Sequence, residues 1–302
     1  MRSPGEIFRR AASRGPQGAA AIKTGILLFC FLLFSAGIVP ETASSEIKFA
    51  ILPRLGPVEL FNMFNPLAQY LSREADEKVS IVIPRDFAAF KSAIRSGQVD
   101  LGFANPLVYV QLRKELAIEP LAVASEPKGG TRFRGLIIAR ADSGIRGLQG
   151  LRGKKLAFVD RDSAGGYLFQ MRLLHKAGLS ADDIVMLPFA KKHDNVISSV
   201  FHRAADAGGI REDDLEKARN KVDVSQIRII GYTDYYPNWP VFALPSLAGE
   251  KTARIRAALL KLKTNTRPAA ATLGTAELTG FEPVSDSDYE QLREAAALAG
   301  VL

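Results

Sequence analysis

Cysteine is nearly absent from this chain. Its single copy, Cys30, sits in the apolar stretch GILLFCFLLFSAGIV at residues 25–39, so positions 46–302 hold none. That absence excludes disulfides and thiolate metal sites from the body of the protein. Histidine is scarce too: His175, His193 and His202 are the three copies, and none is spaced against carboxylates as a paired ligand. A metal enzyme is not expected, and no cofactor or metal is assigned. No block of Lys and Arg stands out as a nucleic-acid footprint, so no nucleic-acid partner is expected. A nucleophile with a base and an orienting group is also missing. Ser163 lies in a glycine-rich turn, but no such constellation accompanies it, and catalysis is not expected. Finally, the fifteen-residue apolar run is shorter than the roughly twenty residues that a spanning helix needs.

What is present starts with that run. Arg2, Arg9, Arg10, Arg14 and Lys23 precede it, and the small residues of ETASSE follow it. A basic region, an apolar core and a small-residue exit read as a secretory signal over residues 1–45, with a retained N-terminal anchor as the alternative. Of the formal charge of +8, those residues hold five basic against two acidic side chains, which leaves +5 on positions 46–302. A balance that is only modestly positive suits an anionic small molecule. With 302 residues and 47% hydrophobic content, the chain can bury the core of one large or two modest domains.

From residue 46 onward, strand-like and helix-like segments alternate. IKFAILP reads as a strand, VELFNMFNPLAQYLSREA as a helix with Leu60, Phe61, Phe64, Leu67, Ala68 and Leu71 at helical spacing, and VSIVIP as a strand. RDFAAFKSAIRSG follows as a helix closed by Gly97, and VDLGFANP as a third strand. The same grammar repeats from KKLAFV to IRIIGYT. Two passes of one plan predict two α/β lobes with mostly parallel sheets, a hinge and a central cleft. We expect the first lobe over residues 46–139, the second over 140–240, and a return to the first over 241–302. The last segment reads as helical, with too little strand for a domain of its own.

The turn RDSAGGY, after the strand KKLAFV, has two readings. Asp162 or Ser163 could be a plain helix cap, or the small residues could expose backbone N–H groups to an anion at a helix start. The turns RDF and ANPLVY hold the same strand-to-helix position, where ligands of such folds sit at strand C-terminal ends. The coincidence of three favours the anion.

These segments together resemble the periplasmic phosphate, phosphite and phosphonate-binding proteins of ABC transporters. The carriers are NPLAQYL, DFAAFKSAIRSGQVDLGFANPLVYV, DSGIRGLQGLRGKKLAFVDRDSAGGYLF, HDNVISSV, ADAGGI and GFEPVSDSDYEQLRE, in that order over nearly all of positions 46–302. The resemblance implies a bilobed periplasmic-binding fold of type II, a small oxyanion ligand, an ABC permease as partner, a periplasmic location and a monomer. A membrane-tethered ligand-sensing module with the same fold is the alternative.

It also implies site residues, with departures. The family's run of hydroxyls before Gly-Tyr is reduced here to Ser163, followed by Ala164 and Gly165. His193 with Asp194 matches the family's His–acid pair, and Asp213 stands where a carboxylate can meet a ligand amine. Asn105 and Tyr109 belong to the ANPLVY turn. Phe87 replaces an aromatic hydroxyl, and Trp239 stands near a place where the family can have another carboxylate. Fewer hydroxyl donors and an added indole imply a retuned site, one less suited to an aminophosphonate.

Overall fold

The computed structural model describes residues 46–302 apart from Ala248, so the expected leader and Cys30 lie outside the described residues. Its first strand, β1 (Ile47–Ile51), leads into α1 (Pro57–Ala75). Pro57 opens that helix at little cost, because first-turn N–H groups have no intrahelical acceptor anyway. Leu60, Met63, Phe64, Leu67, Ala68 and Leu71 make its buried stripe. Phe61, expected on that stripe, is 46% exposed; one residue along a helix is a rotation of about 100°. The chain continues as β2 (Val79–Val82), α2 (Phe87–Arg95), β3 (Leu101–Phe103), α3 (Pro106–Glu115) and β4 (Glu119–Ser125).

It then crosses through β5 (Arg132–Phe133) into β6 (Gly135–Arg140), β7 (Lys155–Ala157), α4 (Phe169–Lys176), β8 (Val185–Met186), α5 (His193–Phe201), β9 (Ala207–Arg211), α6 (Glu212–Lys217) and β10 (Ile227–Tyr232). The return runs through β11 (Tyr236–Pro237) to β12 (Pro240–Ala243), α7 (Gly249–Lys261), α8 (Arg267–Leu273), β13 (Gly280–Glu282) and α9 (Glu290–Leu298). One sheet has the order β13-β4-β12-β3-β1-β2, the other β10-β6-β9-β7-β8, and β5 pairs with β11 as a short ribbon. The result is the two-lobed α/β fold expected.

Both sheets are mixed rather than mostly parallel. β2 and β3 run parallel to β1, whereas β12 inserts antiparallel between β3 and β4. In the second sheet β7 runs parallel to β8 and β9, and β6 inserts antiparallel between β9 and β10. The inserted strands are those that arrive directly from the other sheet. A strand entered without a crossover helix is not held to its neighbours' direction. The helical segment after residue 241 adds β13 to the edge of the first sheet, antiparallel to β4.

The lobes are clasped where the Asp162 turn meets the middle of α2 and of α3. The Asp162 carboxylate takes Lys91 from α2 and Gln111 Nε2 from α3, the latter at 2.9 Å, and the Asp162 carbonyl accepts from Asn105 Nδ2 at 3.1 Å.

Candidate anion-binding site

A cavity of about 70 Å³ opens where the ends of both sheets meet, lined by Arg54, Phe87 and Asn105 from one side and by Ser163, Ala164, Gly165 and His193 from the other. A single water needs about 10–15 Å³, so the space holds a compact ion of about five non-hydrogen atoms. Phe133 and Trp239, flanking the crossings, complete the wall together with Arg211 and Asp214.

The Ser163–Gly166 turn begins a π-helical turn that runs into α4. Ser163 Oγ accepts from the Gly166 N–H at 3.1 Å, so the hydroxyl does act as a helix cap. The next two amides differ. Among the described residues, the N–H groups of Ala164 and Gly165 donate to no protein acceptor, and their residues line the cavity. Such amides at a helix start form a cradle for negative charge. Gly165 is needed for close approach and not for its φ, which is not positive. A Cβ there would sit 2.8 Å from Phe133 Cε2 and 3.6 Å from Arg211 Cβ.

Opposite charges are arranged unevenly around this cradle. The Arg211 guanidinium lies over the Phe133 ring at 4.4 Å and pairs with Glu126 and, at 3.3 Å, with Asp213. Burial would lower its pKa, but Glu126, Asp214 and Asp213 together raise it. Arg54, half-buried with its guanidinium 6.0 Å from the Trp239 ring centre, makes no ion pair among the described residues. Exposed Lys192 makes none either, whereas Lys191 is bonded to Asp160 at 2.9 Å.

His193 Nδ1 accepts from the Arg211 N–H at 3.1 Å and lies 3.5 Å from Asp214 Oδ2. Burial pushes the imidazole pKa down, Arg211 and Arg54 push the same way, and the Asp214 carboxylate opposes them without prevailing. In the neutral ring, Nδ1 is therefore the acceptor and Nε2–H the donor. Burial alone would raise the Asp214 pKa, but surrounding positive charge, supplied by Arg211, Arg54 and Lys217 where His193 is neutral, holds it below its ordinary value.

Of the residues singled out from sequence, Phe87, Asn105, Ser163, Ala164, Gly165, His193 and Trp239 meet at this cavity. Asn105 spends its Oδ1 capping α3, accepting from Leu107 and Val108 N–H at 2.9 and 3.1 Å. Tyr109 is a correction. Three residues into α3 it turns away into the core, fully buried, donating to Asp286 Oδ1 at 2.7 Å and packing on Tyr289 at 4.8 Å. Asp213 is a second correction: it faces Arg211 and a neighbouring cavity of about 460 Å³ that Asp214 also lines, and of the two only Asp214 reaches the first cavity. Adjacent helical residues diverge by about 100°, and spacing counted along the chain could not choose between them. Arg54 and Arg211 were missed. Both sit at strand ends, in the same position as the three turns that were noticed, and that was the available signal.

Residues 49–289 match the family model described as ABC transporter, phosphonate, periplasmic substrate-binding protein. The phosphate-import protein PhnD of Mycolicibacterium smegmatis is 26% identical over 283 residues, covering 86% of this chain and 87% of that protein. The tetrathionate sensor histidine kinase TtrS of Salmonella typhimurium is 26% identical over 241 residues, 74% of this chain but 40% of the kinase. The structure of PhnD1 from Prochlorococcus marinus in complex with methylphosphonate aligns with a TM-score of 0.74 at 20% identity, over 85% of this chain and 99% of that one. With a two-sheet cleft, a cradle of unpartnered amides and a family match that runs from β1 to the start of α9, the chain belongs to the periplasmic substrate-binding proteins of phosphonate ABC transporters, binding components and not enzymes.

Proposed function

We propose that the protein captures a small tetrahedral oxyanion of the phosphate, phosphite or phosphonate kind and delivers it to an ABC permease. The observation that carries this reading is one cavity of five-atom size that joins the free amides of Ala164 and Gly165 to the unpaired charge of Arg54. Two backbone donors, a guanidinium and the His193 Nε2–H replace the hydroxyls that this sequence lacks. Charge-assisted hydrogen bonds of this kind are each worth about 1.5–3 kcal/mol. Phe87 and Trp239 supply the apolar wall for a substituent such as a methyl group.

In this reading the protein acts as a monomer without nucleic acid, exported by a cleaved leader over residues 1–45. In place of the boundaries 139/140 and 240/241 expected from sequence, this reading divides the lobes at the β5/β11 ribbon, and the pairing of β6 in the second sheet supports that division. A thermal-shift series with phosphate, phosphite, methylphosphonate, aminoethylphosphonate, sulfate and simple carboxylates tests the function, since a ligand that binds only the folded state raises its melting temperature by mass action. Concentration-dependent shifts with phosphorus oxyanions are expected. A flat response to all of them sinks the reading.

The partial match to a sensor kinase supports a second reading, a tethered sensing module. An intact N-terminus on membrane-bound protein favours it, and processing near residues 43–46 favours export.

A further inference from the structure

The oxyanion cavity is not closed on all sides. It shares Leu55, Phe87, Lys191 and Lys192 with a groove of about 900 Å³, against its own volume of about 70 Å³. The groove runs between the β1–α1 and β2–α2 turns on one side and Asp160 and Asp162 on the other, and it meets solvent at the exposed Pro57, Arg85 and Ala88. Five half-buried apolar residues, Pro53, Leu55, Ile83, Pro84 and Phe87, line it, and three of them, Leu55, Ile83 and Phe87, pack on the core. Phe87 stands at the passage between the two spaces and brings no hydroxyl to it.

The carboxylates along the groove are already engaged. Asp86 caps α2 by accepting from the Ala89 N–H at 2.7 Å and pairs with Arg85 at 3.2 Å. Asp160 holds Lys191 at 2.9 Å and accepts from the Asp162 N–H at 3.1 Å, while the Asp162 carboxylate is held in the clasp by Lys91 and Gln111. An ammonium group on a ligand would have to compete with these partners. The neighbouring cavity of about 460 Å³ differs in kind. It lies past Arg54, Arg211 and Asp214 and is lined by Glu126, Lys128, Asp213, Glu216, Lys217 and Glu277, so an alkyl chain there would take charged groups out of water. An apolar chain has one favourable way out of the oxyanion cavity, along the groove.

We propose that this groove is a subsite for the organic substituent of the ligand. The protein then takes phosphonates that carry an extended apolar group, an alkyl chain of several carbons or an aryl ring, in preference to methylphosphonate or an aminophosphonate. A phosphonate has three oxygens and one carbon on phosphorus. The oxygens go to the Ala164 and Gly165 amides, Arg54 and the His193 Nε2–H, and the carbon goes to the wall without donors, at Leu55 and Phe87. Each further methylene lies on the groove with about one face covered. Half of the full burial of a CH₂ corresponds to about twofold in affinity.

The inference rests on the oxyanion reading above, and the test separates the two. Calorimetry on the parent protein compares methyl-, propyl-, hexyl-, phenyl- and 2-aminoethylphosphonate. Hexylphosphonate is expected to bind about ten- to thirtyfold more tightly than methylphosphonate, at one ligand per chain, and propylphosphonate more tightly than the similarly long 2-aminoethylphosphonate. Ile83→Thr touches the groove and not the oxyanion cavity, so it should lower the hexyl-to-methyl ratio about threefold or more while methylphosphonate affinity holds. Phe87→Tyr should lower the ratio as well, because it sets a hydroxyl in the passage. Methylphosphonate binding with hexyl- and phenylphosphonate bound more weakly overturns the inference and leaves the oxyanion site standing. An unchanged ratio in folded Ile83→Thr overturns it too. No binding of any phosphonate or of phosphate by the parent overturns the oxyanion reading itself.

Discussion

Replacing Gly165 with alanine sets two physical effects against each other. Alanine is the better helix former, and in an unstrained helix the change should stabilise by about 0.5–1 kcal/mol. Gly165 has no positive φ to complicate the comparison. Sterics oppose it: the new Cβ would lie 2.8 Å from Phe133 Cε2, where ordinary contact begins at 3.4 Å. The ring has little room to retreat. It is 4% exposed, packs on Phe169 at 5.2 Å and carries the Arg211 guanidinium at 4.4 Å. Overpacking of this kind costs about 1–3 kcal/mol, so sterics should win. The melting temperature is expected to fall by about 2–4 °C per kcal/mol lost, a scale set by a domain of this size. Ligand affinity should fall with it, because the displaced ring and turn both wall the cavity. Phe133→Leu in the same chain should restore part of both losses, and a double-mutant cycle measures that coupling. A melting temperature in Gly165→Ala equal to or above the parent's refutes the reasoning, since propensity would then have prevailed over the contact.

Arg54→Met should weaken phosphate or methylphosphonate binding about ten- to 150-fold with little change in melting temperature, because one charge-assisted contact is removed and no ion pair is broken. Lys192→Met, at an exposed position, should change affinity far less; equal effects in calorimetry would count against a specific role for Arg54. His193 is held below its ordinary value of 6.5, so its contribution to stability is complete above that pH and is lost as pH falls through it. Melting curves should therefore drop more steeply below about pH 6.5 in the parent than in His193→Asn, and parallel curves would contradict the assignment. Asp162→Ala should remove the carboxylate that Lys91 and Gln111 share across the lobes, leaving Gln111 with the Val301 carbonyl at 2.7 Å and Lys91 with Gln111 Oε1 at 3.5 Å. A loss of about 1–3 kcal/mol follows, with a larger radius of gyration by small-angle scattering if the clasp holds the lobes together.

The elements legible in the sequence are those whose pattern is local. The stripe of α1, the Gly97 stop after α2 (φ 66°) and the turn from β7 to the π-helical start of α4 depend on residues a few positions apart. β4 and β6 escaped notice because PLAVAS and GLIIAR show no alternation, being buried on both faces within their sheets. Their missing signal also hid the antiparallel insertions that place the crossings. At the site, strand-to-helix turns located Ser163, Ala164, Gly165 and Asn105 by sequence alone, since that position is fixed by topology. The rest needed three dimensions. Tyr109 and Asp213 fell just off the cavity because a helix turns about 100° per residue. Arg54 and Arg211 matter through which carboxylates they do and do not meet: Arg211 pairs with Glu126 from 85 positions away and with Asp213 two positions on, while Arg54 makes no ion pair among the described residues. Sequence determined where backbone donors would stand; only the packing of the two sheets decided which charges would be left unpaired beside them.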